Sequence, residues 1–205
     1  MQNADLDEIS RRPLRAMHAD GIPEFIMGLT WLFWGLMLGI PQIVPKGAWW
    51  KPYWLVVPWL LALSGFAAQW AMKRLKERWS YRRTGYVEFS KTGARSPWAA
   101  FLIAGISGIV IASFLSSSRS WLDLLPLGCA ILVAGALAYG LGRQGVRRAG
   151  LYAAVTIALG ICVVALSIGI ELGFAIVWGG LGASMSVGGG MQMAKFVRTH
   201  QEIHG

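Results

Sequence analysis

The sequence predicts an all-α, polytopic integral membrane protein, a six-transmembrane-helix bundle with N- and C-termini in the cytoplasm. Charge is scarce: 14% of residues are charged and 55% are apolar, whereas soluble domains carry about 25% charge. Six apolar runs can be marked, at Pro23–Val44, Tyr53–Met72, Pro97–Ser116, Trp121–Gly142, Ala149–Ile170 and Leu172–Ala194. Each is close to the roughly 20 residues that a helix needs to cross about 30 Å of hydrocarbon. None alternates with period two, which excludes the pattern of a membrane-spanning barrel.

The third observation is where the basic residues fall. One side of the predicted membrane holds Arg11, Arg12 and Arg15, the loop cations Lys73, Arg74, Lys76, Arg78, Arg82, Arg83, Lys91 and Arg95, then Arg143, Arg147, Arg148, Lys195 and Arg198. The other side holds Lys46, Lys51 and Arg119. Lys and Arg collect in short cytoplasmic loops, so the crowded side is the inner one and the membrane is the plasma membrane. The net charge of +9 is thus explained by topology, and nucleic acid is not expected as a partner.

Residues 1–22 form a cytoplasmic segment. Leu6, Ile9, Leu14 and Met17 beside Arg11, Arg12 and Arg15 suit an amphipathic stretch on the inner membrane surface, interrupted near Pro13. Acids lead the chain (Asp5, Asp7, Glu8), which is unlike a secretory signal and leaves the first span as an uncleaved insertion signal. Spans 1 and 2 occupy residues 23–72. Gly28, Gly35 and Gly39 share one face of the first, where a second helix can approach closely. Trp31 and Trp34 flank that face at mid-depth, an uncommon place for tryptophan. They either line a pocket for an apolar ligand or fill the bundle. Trp49, Trp50 and Tyr53 form the outer aromatic belt, with Trp70, Trp79 and Trp98 as its inner counterpart.

Residues 73–96 are the basic cytoplasmic loop. Its first part, Met72 to Trp79, extends the second helix. Its second part brackets a short β-prone piece, Tyr86 to Phe89, between Thr84-Gly85 and Thr92-Gly93. Each basic residue near anionic lipid contributes about 1 kcal/mol, so the loop reads as a headgroup- or partner-contacting surface. Its candidate contacts are Arg78, Trp79, Arg82, Arg83 and Tyr86.

Spans 3 to 6 occupy residues 97–194, followed by a cytoplasmic tail, 195–205. The break between the last two is expected at Gly169-Ile170-Glu171. The sixth span carries Gly182, Ser186, Gly190 and Ala194 in one row and Gly180, Ser184 and Gly188 in another. Two small faces imply close packing on both sides, within the bundle, against a second copy or against another membrane protein.

Chemistry is mostly absent. Gly140 to Gly145 matches the letters G-x-G-x-x-G but ends a span instead of joining a strand to a helix. His200, Glu202 and His204 end the chain in an order unlike a zinc-protease motif. Cys129 and Cys162 both fall in spans and read as small apolar residues. No catalytic set stands out, and neither an enzyme nor a metal or cofactor is expected. Ionisable residues keep to the membrane edges: Glu24 inside, Asp123 and Glu171 outside. That weighs against ion-coupled transport.

Two functions remain. The favoured one is a non-enzymatic membrane component that binds anionic lipid headgroups or a protein partner through its basic loop. The alternative is a channel or facilitator for a small neutral or apolar solute, with Trp31, Trp34 and Trp178 along the path and Asp123 and Glu171 at its mouth.

Overall fold

The computed structural model describes residues 20–44, 47, 50–80, 123–143, 146 and 148–199. Among them are five α-helices and no strand. They are α1 (Ile22–Ile43), α2 (Trp50–Leu75, running on into a π-helical turn over Lys76–Ser80), α3 (Leu125–Arg143), α4 (Ala149–Ala165) and α5 (Ile170–Thr199). Four segments are long and apolar enough to cross a membrane: Ile22–Ile43, Leu55–Trp79, Leu125–Gly142 and Ile170–Thr199. Helix α4 has 17 residues, about 26 Å of helix. The expected amphipathic N-terminal stretch, the later part of the basic loop, the span Pro97–Ser116 and the tail from His200 onward lie outside the described residues.

Local chemistry sets the helix ends. Gly21 takes a left-handed φ of 72° before α1, and the Asp20 carboxylate accepts the Ile22 N–H at 3.1 Å. Pro23 in the first turn gives up a donor that would have no helical partner anyway. Further along, Pro41 sits inside α1 and cannot donate to the Met37 carbonyl. The Tyr53 hydroxyl of α2 donates to that carbonyl instead.

The break between α4 and α5 comes earlier than the glycine at 169 suggests. Helix α4 ends at Ala165 in a Schellman motif: Ile168 N–H donates to Val163 O and Ser167 N–H to Val164 O, both at 3.0 Å. Ser167 holds the left-handed position, φ 50°, that glycine usually fills. Ile168 packs on the Val163 cluster, the apolar contact that accompanies this cap.

The centre of the fold is the antiparallel pair α1 and α5. A Cβ on Gly182 would lie 2.6 Å from Leu32 Cα, and one on Gly35 would lie 2.5 Å from Gly179 Cα. A Cβ on Gly28 would meet Ser186 Oγ at 2.7 Å, and one on Gly189 would meet Phe25 Cα at 2.8 Å. The partners therefore run Phe25/Gly189, Gly28/Ser186, Leu32/Gly182, Gly35/Gly179 and Gly39/Ala175. Steps of three and four alternate on both helices, the 3.5-residue period of a coiled-coil seam. This corrects the expected row on α5: Gly182 and Ser186 belong to the seam, but Gly190 and Ala194 do not. A strict four-residue row drifts around the helix, whereas the alternating row keeps facing its partner.

The second small face of α5 receives the α3–α4 hairpin. The missing side chains of Gly173, Gly180 and Gly188 make room for Val163 and Pro126, for Leu159, and for Tyr152 respectively. Gly160 of α4 does the same for Ala130 and Leu127 of α3. The core gathers there: Leu137, Leu141, Tyr152, Leu181 and Met185 form one cluster, and Ala130, Val163 and Val177 a second.

These pairings gather most of the described basic residues at one end. Lys73, Arg74, Lys76, Arg78, Arg143, Arg148, Lys195 and Arg198 gather at or beyond one end of the bundle. Among the described residues, Lys51, Asp123 and Glu171 lie toward the other end.

Candidate functional site

Chemistry-bearing side chains fall at three levels of the bundle. The basic end is the richest. Helix α2 continues past Leu75 into a π-helical turn, which carries Arg78 and Trp79 beyond the apolar stretch with both side chains exposed. Arg74 and Trp70 lie one and two turns earlier, also exposed, with the Arg74 guanidinium 5.7 Å from the centre of the Trp70 ring. Trp70, Arg74 and Arg78 are spaced by four and share one face. An amphipathic ring beside a guanidinium is what the boundary between acyl chains and headgroups accommodates. Arg82, Arg83 and Tyr86 lie outside the described residues.

Two other cations at this end turn inward. Lys76 is buried within reach of the Asp20 charge. Arg148, at the start of α4, places Nη2 3.3 Å from Glu24 Oε1, and its Nη1 donates to the Gly188 carbonyl of α5. The Tyr152 hydroxyl donates to Glu24 Oε2 at 2.7 Å. Glu24 is 1% exposed and both its oxygens accept a hydrogen bond. Asp20, just before α1, and Glu24, in its first turn, thus each face a cation, Lys76 at the end of α2 and Arg148 at the start of α4. Asp20 and Glu24 also suit the positive end of the helix dipole.

The sequence puts Glu24 at the inner edge without pointing to this role. The legible signal was an acid inside the first turn of an apolar run, where a charge without a partner is costly. Its partners, Arg148 and Tyr152, are more than 120 residues away, and no local pattern couples them to it.

At mid-depth the structure brings the expected tryptophans together. Trp31 stacks on Trp178 with ring centres 4.8 Å apart, and Trp34 meets Trp31 edge-on at 5.0 Å. Phe174 continues the stack at 6.4 Å from Trp178. Trp34 Nε1 donates to Ser64 Oγ at 2.8 Å, and Ser64 in turn donates to Leu61 O at 2.6 Å. The indole N–H is therefore satisfied without water, which lets tryptophan sit away from the interface.

The outer acids stand apart from this cluster. Asp123 is exposed in the short turn before α3. Glu171 is exposed in the first turn of α5 and accepts a hydrogen bond from Gln42. Glu171 lies seven residues before Trp178, about 10 Å along the helix axis. Aromatic and acidic candidates therefore occupy different levels.

Cys129 and Cys162 are free thiols. Among the described residues, no group of three or more His, Cys, Asp or Glu side chains is placed to hold a metal ion. No protein-family model, no curated protein and no solved structure matches the chain.

Proposed function

We propose that this protein is a non-enzymatic, multi-pass component of the plasma membrane that binds anionic lipid headgroups at its basic end. The observation that carries this reading is the exposed strip Trp70, Arg74, Arg78 and Trp79, which joins an apolar helix to the basic residues that follow it. Lys76 and Arg148 are engaged inside the fold, so the lipid-facing charge comes from Lys73, Arg74 and Arg78, from Lys195 and Arg198, and from Arg82 and Arg83 in the loop. The basic end faces the cytoplasm, where anionic lipid is attracted to such clusters.

The six-span topology belongs to the same reading. Helix α2 leaves the bundle at the basic end, and α3 begins at the opposite end. The chain between Ser80 and Asp123 has to travel the full length of the bundle. Its one apolar run long enough to do so in lipid is Pro97–Ser116. That crossing, with α4 counted as a short span, makes six and brings both termini to the basic side.

Flotation with vesicles of neutral or anionic lipid tests the binding. Purified protein should associate with anionic vesicles through a contact that weakens as salt is raised, and neutralising Arg74, Arg78, Arg82 and Arg83 together should abolish the preference. Equal association with neutral vesicles would exclude the headgroup reading.

A further inference from the structure

We propose that Asp20 is a positioning residue for the basic strip: by holding Lys76 inside the fold, it fixes the π-helical turn that presents Arg78 and Trp79 to the headgroups. This rests on the headgroup reading of that strip. A π-helical turn is an uncommon geometry that concentrates at functional sites, and this one begins where α2 buries a cation. Lys76 is 8% exposed and Asp20 3%, and the Asp20 charge acts on Lys76. On either side of Lys76, the residues Lys73, Arg74, Glu77 and Arg78 are all exposed. A lysine at the membrane boundary ordinarily reaches outward to water. An inward one needs a fixed anion, and Asp20 supplies it.

The turn decides where the next side chains point. In an α-helix, a row spaced by four drifts about 40° around the axis at each step. A turn closed by i→i+5 bonds holds roughly one residue more, which sets the following side chains back. Between Arg74 and Arg78 the setback offsets the drift and keeps the two cations in line. Trp79 is set back as well. In an α-helical continuation it would stand three and four residues past Lys76 and Leu75, on the face that Lys76 buries. In the π-helical turn it is 46% exposed and follows Arg78 on the strip.

Loss of the Asp20 charge therefore has two opposed effects. It makes the basic end more positive, which by itself tightens contact with anionic lipid. It also frees Lys76 to reach outward, which rotates the last turn of α2 and carries Arg78 and Trp79 off the line of Arg74. Positioning predicts a net loss, where charge alone predicts a gain.

Flotation of the full-length protein with vesicles of phosphatidylcholine, alone or mixed with phosphatidylglycerol, separates the two. Asp20→Asn is the test variant, because asparagine keeps an oxygen to accept the Ile22 N–H at the start of α1. Its preference for the anionic vesicles should fall about five-fold, the worth of one cation's contact, about 1 kcal/mol. Adding Lys76→Met, which has no charge to bring outward, should restore the preference. An unchanged or raised preference in Asp20→Asn would overturn the proposal, as would a loss that Lys76→Met does not restore. A nitroxide at Trp79→Cys, with Cys129 and Cys162 replaced by alanine, reads the turn itself. Its contact with a lipid-anchored nickel chelate should fall in Asp20→Asn and return with Lys76→Met; a nitroxide indifferent to Asp20→Asn would defeat the positioning. Equal flotation of the unmodified protein with both vesicles would defeat the headgroup reading instead, and the nitroxide would still decide whether Asp20 holds the turn.

Discussion

Arg148 places Nη2 3.3 Å from Oε1 of Glu24, joining the start of α4 to the first turn of α1. The two partners are not equally enclosed: Glu24 is 1% exposed and the Arg148 side chain 30%. The asymmetry decides what each substitution costs. Arg148→Gln leaves a buried carboxylate with Tyr152 as its remaining side-chain donor among the described residues, and losing a buried partner costs about 3–5 kcal/mol. The lower end, about 3 kcal/mol, applies here because Arg148 reaches solvent. Glu24→Gln leaves a guanidinium that can turn outward, and its cost should be nearer 1 kcal/mol. Thermal unfolding in detergent should rank Arg148→Gln as clearly the worse; equal effects would mean that the pair is not the link between α4 and α1.

The α1/α5 seam has no room for a methyl group at its centre. Gly182→Ala puts Cβ against the Leu32 backbone, which rotamer changes cannot relieve, and overpacking of this kind costs about 1–3 kcal/mol. Gly190→Ala, whose Cβ would meet the Phe25 ring at an ordinary 3.6 Å, should be tolerated. Melting temperatures of the two variants should differ by several degrees, with Gly182→Ala lower.

Ser167 occupies a left-handed conformation that costs a non-glycine residue about 1–2 kcal/mol. Glycine removes that strain but adds freedom to the unfolded chain. Ser167→Gly should therefore stabilise the protein by about 0.5–1 kcal/mol, measured as a shift in the unfolding midpoint. A destabilised variant would show that the α4–α5 turn is not built on the Schellman cap.

Tyr53 and Pro41 can be tested as a pair. Tyr53→Phe removes the donor to the Met37 carbonyl and should cost about 1–3 kcal/mol. Pro41→Ala restores the helical N–H, so the same Tyr53→Phe change should cost much less in that background. Additive effects in the double-mutant cycle would contradict the coupling.

Much of the fold is legible in the sequence because lipid imposes simple rules on length and polarity. The apolar runs locate the four long helices among the described residues, and Gly28, Gly35 and Gly39 mark the face of α1 that meets α5. The register of the seam is harder to read. Glycine is so frequent between Gly179 and Gly190 that several rows fit, and only the backbone of α1 selects Ala175, Gly179, Gly182, Ser186 and Gly189. The end of α4 is illegible for a different reason: Ser167 does a glycine's work, so composition points to Gly169. The exposed aromatic and basic residues of α2 follow from positive-inside and interfacial rules. The Glu24, Tyr152 and Arg148 contact does not, because it depends on how two distant helices are turned about their axes.

Native mass spectrometry tests the central claim most directly, with protein released gently from its own membrane and compared with a variant in which Arg74, Arg78, Arg82 and Arg83 are glutamine. Neutralising each cation near anionic lipid removes about 1 kcal/mol, so the four together weaken lipid retention on the order of 1,000-fold. The intact protein should carry bound anionic phospholipid that survives delipidation, and the variant should lose it while keeping its fold. A bound small solute in place of lipid, or lipid retained equally by both proteins, would contradict the assignment of the basic end as a headgroup-binding surface.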